Sequence, residues 1–231
     1  MIILVLSIIT SVLFMLNYSH FKHHIRFKTW SQKLQLQKHE RTYHRLFKHV
    51  DGFALSRKAR LKHDAIEYMY GEIDFLGFIT LLSLVNPNQE TVFYDLGSGV
   101  GKAIIACAMV FDVQKSCGIE FFNNLHHCAI KQKKSLEKLK AYQEKASRIR
   151  CIEGDFMTTD FDEATLIFVN ATGFVSPLWN NLSMRIAESN CHTVISTSKP
   201  VASSMFTVTH KLQIPMSWGF ATVFIQQRLT L

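Results

Sequence analysis

The first sixteen residues, Met1 to Leu16, are apolar apart from Ser7, Thr10 and Ser11 and carry no charged side chain, a pattern found nowhere else in the chain. As a helix rising ~1.5 Å per residue the run would measure about 24 to 27 Å, short for a bilayer span but within reach of one. No basic stretch precedes it, and no small-x-small cleavage site lies around Leu16-Asn17-Tyr18-Ser19, so the pattern predicts an uncleaved transmembrane helix, with residues 1–19 as a membrane anchor. Lys22, Arg26 and Lys28 follow with His20, His23 and His24, and Phe21, Phe27 and Trp30 lie among them like an interfacial belt. That basic flank predicts a single-pass membrane protein whose remaining chain sits on the cytoplasmic side.

Beyond the anchor the periodicity changes twice. From Trp30 to Lys48 apolar residues fall at mixed spacing, which predicts a polar helical linker, and a second helical piece covers about Arg57 to Met69. From Glu90 onward, short apolar β-rich runs alternate with helical stretches. Strands are predicted up to Leu96 and over Ser116–Glu120, Ile149–Ile152, Ala164–Val169 and His192–Ser198, with helices over Ala103–Met109 and Pro177–Ser189. Two β-rich runs, Ser204–Ile214 and Ala221–Arg228, close the chain and are expected to pair antiparallel. Alternation of this kind predicts an α/β fold, a mostly parallel sheet covered by helices.

Composition sharpens the division. At 231 residues, 48% hydrophobic and 19% charged, the chain is neither disordered nor low-complexity. We expect residues 1–19 as anchor, 20–65 as basic helical linker and 66–231 as one catalytic domain. The net charge of +8 sits upstream: His20 to Met69 holds twelve Lys/Arg against four Asp/Glu, while Tyr70 to Leu231 holds fourteen of each. A basic stretch beside an anchor favours an anionic lipid surface as partner, with nucleic acid the less favoured alternative. The lysine run Lys131, Lys133, Lys134, Lys138 and Lys140 reads as a solvated helix face. The five cysteines lie singly in apolar stretches without Cys-x-x-Cys spacing, which predicts free thiols, a reducing compartment and no metal site.

The chemistry concentrates in Asp95-Leu-Gly97-Ser98-Gly99-Val-Gly101-Lys102, which lies between a predicted strand and a predicted helix. Glycines there let the backbone approach a ligand where a Cβ would collide, and the helix start offers free N–H groups. A dinucleotide fingerprint would need its third glycine at the position of Lys102. Asp-x-Gly-x-Gly-x-Gly instead resembles the class I methyltransferases, in which this turn faces the methionyl part of S-adenosylmethionine and the acid helps bind its ammonium. That resemblance implies a Rossmann-like, seven-stranded, mostly parallel sheet with one antiparallel strand and helices on both faces. Glu120 ends the next strand nineteen residues past Gly101, close to the offset of ~20 at which a carboxylate grips ribose hydroxyls. After the third strand, Asp155 is placed to accept from the adenine amino group and Phe156 to cover the ring.

Four more segments occur in a telling order: Tyr70-Gly-Glu-Ile-Asp-Phe75, Phe168-Val-Asn-Ala-Thr-Gly-Phe174, Ile195-Ser-Thr-Ser-Lys-Pro200 and Met216-Ser-Trp218. Over roughly Ile66 to Gln227 the chain resembles the Dot-one-like (disruptor of telomeric silencing) histone-lysine methyltransferases. The resemblance implies that Tyr70 and Glu72 form part of the cofactor wall, that Asn170 stands beside the transferring methyl, and that Phe174 lines the lysine channel with Trp218 in the adjoining hairpin. Two positions depart from the family: its second asparagine is Ala171 here, and its last-strand channel tyrosine is Phe224. The resemblance thus implies an S-adenosylmethionine-dependent protein-lysine N-methyltransferase with Asn170, Phe174 and Phe224 at the reacting end, acting on a histone or other basic protein. Two alternatives stand beside it, a membrane-anchored lysine methyltransferase of a membrane or organellar protein, and a cofactor-binding module without efficient catalysis.

Overall fold

A computed structural model of the chain describes residues 25–61 and 65–229. Residues 25–33 are helical. Helix α1 (Leu36–Phe47) and α2 (Gly52–Arg60) follow, then a 3-10 turn at Ile66–Tyr68 and α3 (Phe75–Val85). The α/β succession is β1 (Val92–Leu96), α4 (Lys102–Val110), β2 (Lys115–Glu120), α5 (Asn123–Glu137), α6 (Gln143–Ser147), β3 (Ile149–Glu153), β4 (Leu166–Val169), α7 (Ser176–Glu188) and β5 (Thr193–Thr197). It ends in the hairpin β6 (Phe206–Met216) and β7 (Gly219–Arg228).

The seven strands form one sheet in the order β3-β2-β1-β4-β5-β7-β6, all parallel except β7, which runs antiparallel to both β5 and β6. Strand β1 is buried along its whole length, as a central parallel strand covered on both faces must be. The order reverses between β1 and β4. There, at the carboxyl ends of the strands, a crevice opens in folds of this kind.

Helix α3 is a helix that periodicity does not reveal, because Phe75–Val85 is apolar around most of its circumference. Its ends are marked instead: the Asp74 carboxylate accepts from Leu76 N and Gly77 N at 3.0 and 3.2 Å, and Asn86 closes it in the left-handed conformation at φ 48°. The predicted helix over Arg57–Met69 is not continuous, since α2 ends at Arg60 and a separate 3-10 turn occupies Ile66–Tyr68. The polar-linker reading of Trp30–Lys48 also missed a buried face. Leu36, His39, Tyr43 and Phe47 fall at spacings of three and four and are buried, with Leu36, Tyr43 and Phe47 in the main core cluster beside α3 and α4, while Lys38, Arg41 and Arg45 face outward.

The transmembrane expectation requires correction. Among the described residues no helix is long and apolar enough to cross a membrane. The predicted anchor at residues 1–19, with its histidine-rich flank, lies outside the described residues. The single-pass placement and the membrane partner rested on apolar content and flanking charge alone, and neither is carried forward.

Candidate functional site

The switch point between β1 and β4 opens into a cavity of about 420 Å³, within the ~300–1,000 Å³ usual for small-molecule sites. Its floor is the turn after β1. Gly97 N and Ser98 N donate to Ile119 O at 2.9 and 3.0 Å, and Gly97, Gly99 and Gly101 all take positive φ (89°, 55° and 83°). A Cβ on Gly97 would meet nothing within 4 Å, so its open side faces free space, whereas one on Gly99 would come within 2.7 Å of the Tyr70 ring. Gly101 works elsewhere. It does not line the cavity but lets α4 pack on α5, where a Cβ would approach that of Ala129 to 2.9 Å.

Two buried carboxylates stand over this turn. Glu120, 6% exposed, accepts from Gly99 N and Phe122 N, both at 2.8 Å, and burial raises its carboxyl above the ordinary range. Asp95, 4% exposed, is pushed up to about 8 by burial and then by the neighbouring charge of Glu120. A pair of buried acids facing an open cavity calls for a ligand bearing positive charge and hydroxyl donors, and the open side of Gly97 leaves room for one. The residues present therefore fit S-adenosylmethionine, with its sulfonium, ammonium and ribose hydroxyls.

The cover is assembled from distant segments. Tyr70 Oη donates to Glu72 Oε1 at 2.8 Å, and burial together with the Glu72 carboxylate raises this phenol well above its ordinary range, keeping it a donor. Glu72 also holds the Lys102 ammonium in an ion pair, and that ammonium lies 5.6 Å from the Phe47 ring centre. The hairpin tip ties this strap down: Glu72 N donates to Ser217 Oγ at 3.0 Å, Ser217 N donates to Glu72 O at 2.9 Å, and Ile73 bridges Met216. Trp218 lies so close over Gly71 that a Cβ there would run into its ring.

At the far end, Asn170 follows β4. Its Oδ1 accepts from Thr197 Oγ1 at 2.6 Å and Thr172 Oγ1 at 3.0 Å, leaving the amide N–H group as the part of the side chain that can meet a ligand. Phe174 and Phe156 form one aromatic wall with ring centres 5.6 Å apart, and Phe174 rests against Trp179 at 6.5 Å. Asp155 lines the cavity with its Oδ1 accepting from Met157 N at 2.8 Å.

The structure thus brings Tyr70, Glu72, Asp95, Gly97, Ser98, Gly99, Lys102, Glu120, Asp155, Phe156, Asn170 and Phe174 to one cavity. Phe224 is not brought there. It lies on β7 opposite Ser196, with the Lys211 ammonium 5.6 Å from its ring centre. Sequence reasoning missed the supporting hydroxyls of Thr172, Thr197 and Ser217, and it missed Ser56 of α2, which lines the cavity. Thr172, Thr197 and Ser217 all fall inside segments singled out above, but no local pattern marks Ser56.

A sequence model of the family described as histone methylation protein DOT1 matches residues 56–215. A histone-lysine N-methyltransferase, H3 lysine-79 specific, of Caenorhabditis elegans is 28% identical over 149 residues, 62% of this chain and 16% of that protein. A protein-lysine N-methyltransferase of Saccharolobus islandicus is 29% identical over 89 residues, 38% of this chain and 50% of that one. The matched part of this chain therefore spans about a sixth of the nematode relative and half of the archaeal one. Among solved structures, an RNA methyltransferase of Salinibacter ruber in complex with S-adenosyl-L-homocysteine shares the fold, with a TM-score of 0.52 at 22% identity over 67% of this chain and 92% of that one.

Proposed function

Because the chain belongs to the DOT1 family of histone methylation proteins, we propose that it is an S-adenosylmethionine-dependent protein-lysine N-methyltransferase. The observation that carries this reading is the extent of the family match: residues 56–215 hold nearly all of the cavity lining, from α2 almost to the hairpin tip.

Bound there, the cofactor would supply an electrophilic methyl group on a sulfonium; transfer to a neutral lysine amine would break the S–C bond as the N–C bond forms, release S-adenosylhomocysteine and cost the amine one proton. In this reading Asp95 holds the ammonium, Glu120 the ribose hydroxyls, and Asp155 with Phe156 the adenine. Tyr70 and Glu72 close the cavity from above. The remaining work is placement rather than strong-base chemistry, since an amine already neutral needs alignment more than proton abstraction. Burial of the lysine amine beside the Phe174 ring takes it out of water and so lowers its pKa. Asn170, held by two threonine hydroxyls, positions without adding charge, and the released proton leaves through the cavity mouth to water.

A histone is the substrate class that the family description supports, and the archaeal relative's printed name supports a non-histone protein as the second reading. The test is transfer of labelled methyl from S-adenosylmethionine to recombinant nucleosomes and, separately, to a panel of basic non-histone proteins, with Asn170→Ala as control. Label on a core histone that is lost in Asn170→Ala supports the first reading. Label confined to the panel supports the second, and no label on any substrate despite measurable cofactor binding sinks the catalytic proposal.

A further inference from the structure

One buried hydroxyl of a cavity-lining residue has no hydrogen-bond partner among the described residues. It is the Oγ of Ser56, which lines the cavity at 1% exposure. Native folds leave few buried hydroxyls unmet, and such groups mark places where a ligand completes the bonding.

The position of Ser56 narrows what that ligand group is. Gly52, one turn earlier on the same helix, packs so tightly that a Cβ there would collide with the Tyr70 phenol and the Glu72 carboxylate. Residues four apart lie on one helix face, so Ser56 sits about 5–6 Å further along the face that meets the Tyr70–Glu72–Lys102 cluster. Helix α2 is fixed in that place, because Asn124 Nδ2 donates to Leu55 O at 2.7 Å. The cavity's other ionisable lining is acidic at Glu67, Asp95, Glu120 and Asp155, and Lys102 is the one basic side chain among the described lining residues. Lys102, which already pairs with Glu72, is thus the lining cation that an anionic ligand group can meet, and a hydroxyl on the adjoining face of α2 adds a donor to that recess.

Resting on the cofactor reading above, we propose that Ser56 is a cofactor-binding residue whose hydroxyl, together with Lys102, holds the carboxylate at the aminoacyl end of the cofactor. The assignment makes α2 part of the binding site rather than only a support for the strap.

The test is calorimetric binding to the full chain of two ligands that differ in the carboxylate alone: S-adenosylmethionine, and decarboxylated S-adenosylmethionine, which keeps the ammonium. In Ser56→Ala we expect S-adenosylmethionine to bind about tenfold more weakly, as for a lost hydrogen bond to a charged group, and decarboxylated S-adenosylmethionine to stay within about twofold. The ligand-free melting temperature of Ser56→Ala should equal or exceed that of the wild type, because the substitution removes an unmet hydroxyl. Parallel loss of both affinities, no loss of either, or a lower ligand-free melting temperature overturns the proposal. A wild-type chain that binds neither compound overturns the cofactor reading itself, an outcome distinct from each of these.

Discussion

One wall of the cavity is a single run of chain, and the opposite wall is gathered from four. Between Asp95 and Lys102 the backbone does the shaping, through positive φ at three glycines and N–H groups turned onto Ile119 O and Glu120. Across from it, Tyr70–Glu72, Asn170–Phe174, Thr197 and the hairpin tip are joined by side chains, with Glu72 and Ser217 meeting across 145 residues. A wall made of backbone tolerates almost no substitution and has few ways to vary. A wall made of side chains can lose one contact at a time and keep the rest.

The largest effect is expected on the backbone wall. Gly99 sits at φ 55° with the Tyr70 ring 2.7 Å from where a Cβ would stand, so Gly99→Arg adds strain and fills the space between floor and strap. We expect S-adenosylhomocysteine binding to weaken by about a hundredfold or more by calorimetry, with the melting temperature much less affected. If affinity fell by less than tenfold, the contrast between rigid floor and adaptable cover would fail.

This contrast also explains what the sequence disclosed. The α/β succession, the reversed strand and the glycine floor were legible because each is written in consecutive residues: a β-rich run, a turn that only glycine fits, then a buried helix. Glu120 was legible because the distance along one β-α-β unit is constrained. The cover was legible only through resemblance, which supplied Tyr70, Glu72 and Asn170 but not the hydroxyls that fix them. Nothing in the spacing of Thr172, Thr197 and Ser217 says that a long hairpin folds back onto the strap. The buried face of α1 was missed for a related reason, since His39 and Thr42 occupy positions that would carry a clear apolar stripe.

On the cover, a smaller loss is expected. Glu72→Gln keeps the size of the side chain but removes the charge that holds Lys102. Both partners are less than a third exposed, so the pair is only partly screened. We expect cofactor binding to weaken by about tenfold with faster dissociation, read by stopped-flow fluorescence, while ligand-free stability changes little. Unchanged dissociation would mean that the hairpin contacts alone keep the strap closed.

The floor should also impose a pH dependence. With its carboxyl pushed up to about 8, Asp95 is largely protonated at pH 6 in the ligand-free protein, and a cationic ligand favours its ionised form. Binding therefore releases a proton, and affinity for S-adenosylmethionine should rise severalfold, at most about tenfold per unit, as pH climbs from 6 toward 8. Without ligand the sign reverses for folding. The unfolded carboxyl ionises near its ordinary value of 3.8, so this group withdraws stability as pH rises from about 4 through about 8. Asp95→Asn should flatten the affinity profile across this range, whereas Glu72→Gln should leave its slope in place.

The smallest effect is expected where resemblance and geometry part. The family pattern places an aromatic residue of the last strand in the lysine channel, and Phe224 holds that position in the sequence. In the fold its neighbours on β7, Val223 and Ile225, point into the main core, so the alternation along a strand turns Phe224 to the other face of the sheet. What it touches there is the Lys211 side chain of the hairpin partner, an exposed cation–π contact worth about 0.5–1 kcal/mol. Phe224→Leu preserves the apolar bulk and gives up only that contact. Methyl transfer should therefore stay within about twofold of wild type and the melting temperature should fall slightly. A drop in kcat/KM of tenfold or more at unchanged cofactor affinity would instead place Phe224 against the incoming lysine, and would mean that the hairpin rearranges when substrate docks, making the cover the moving part of the site.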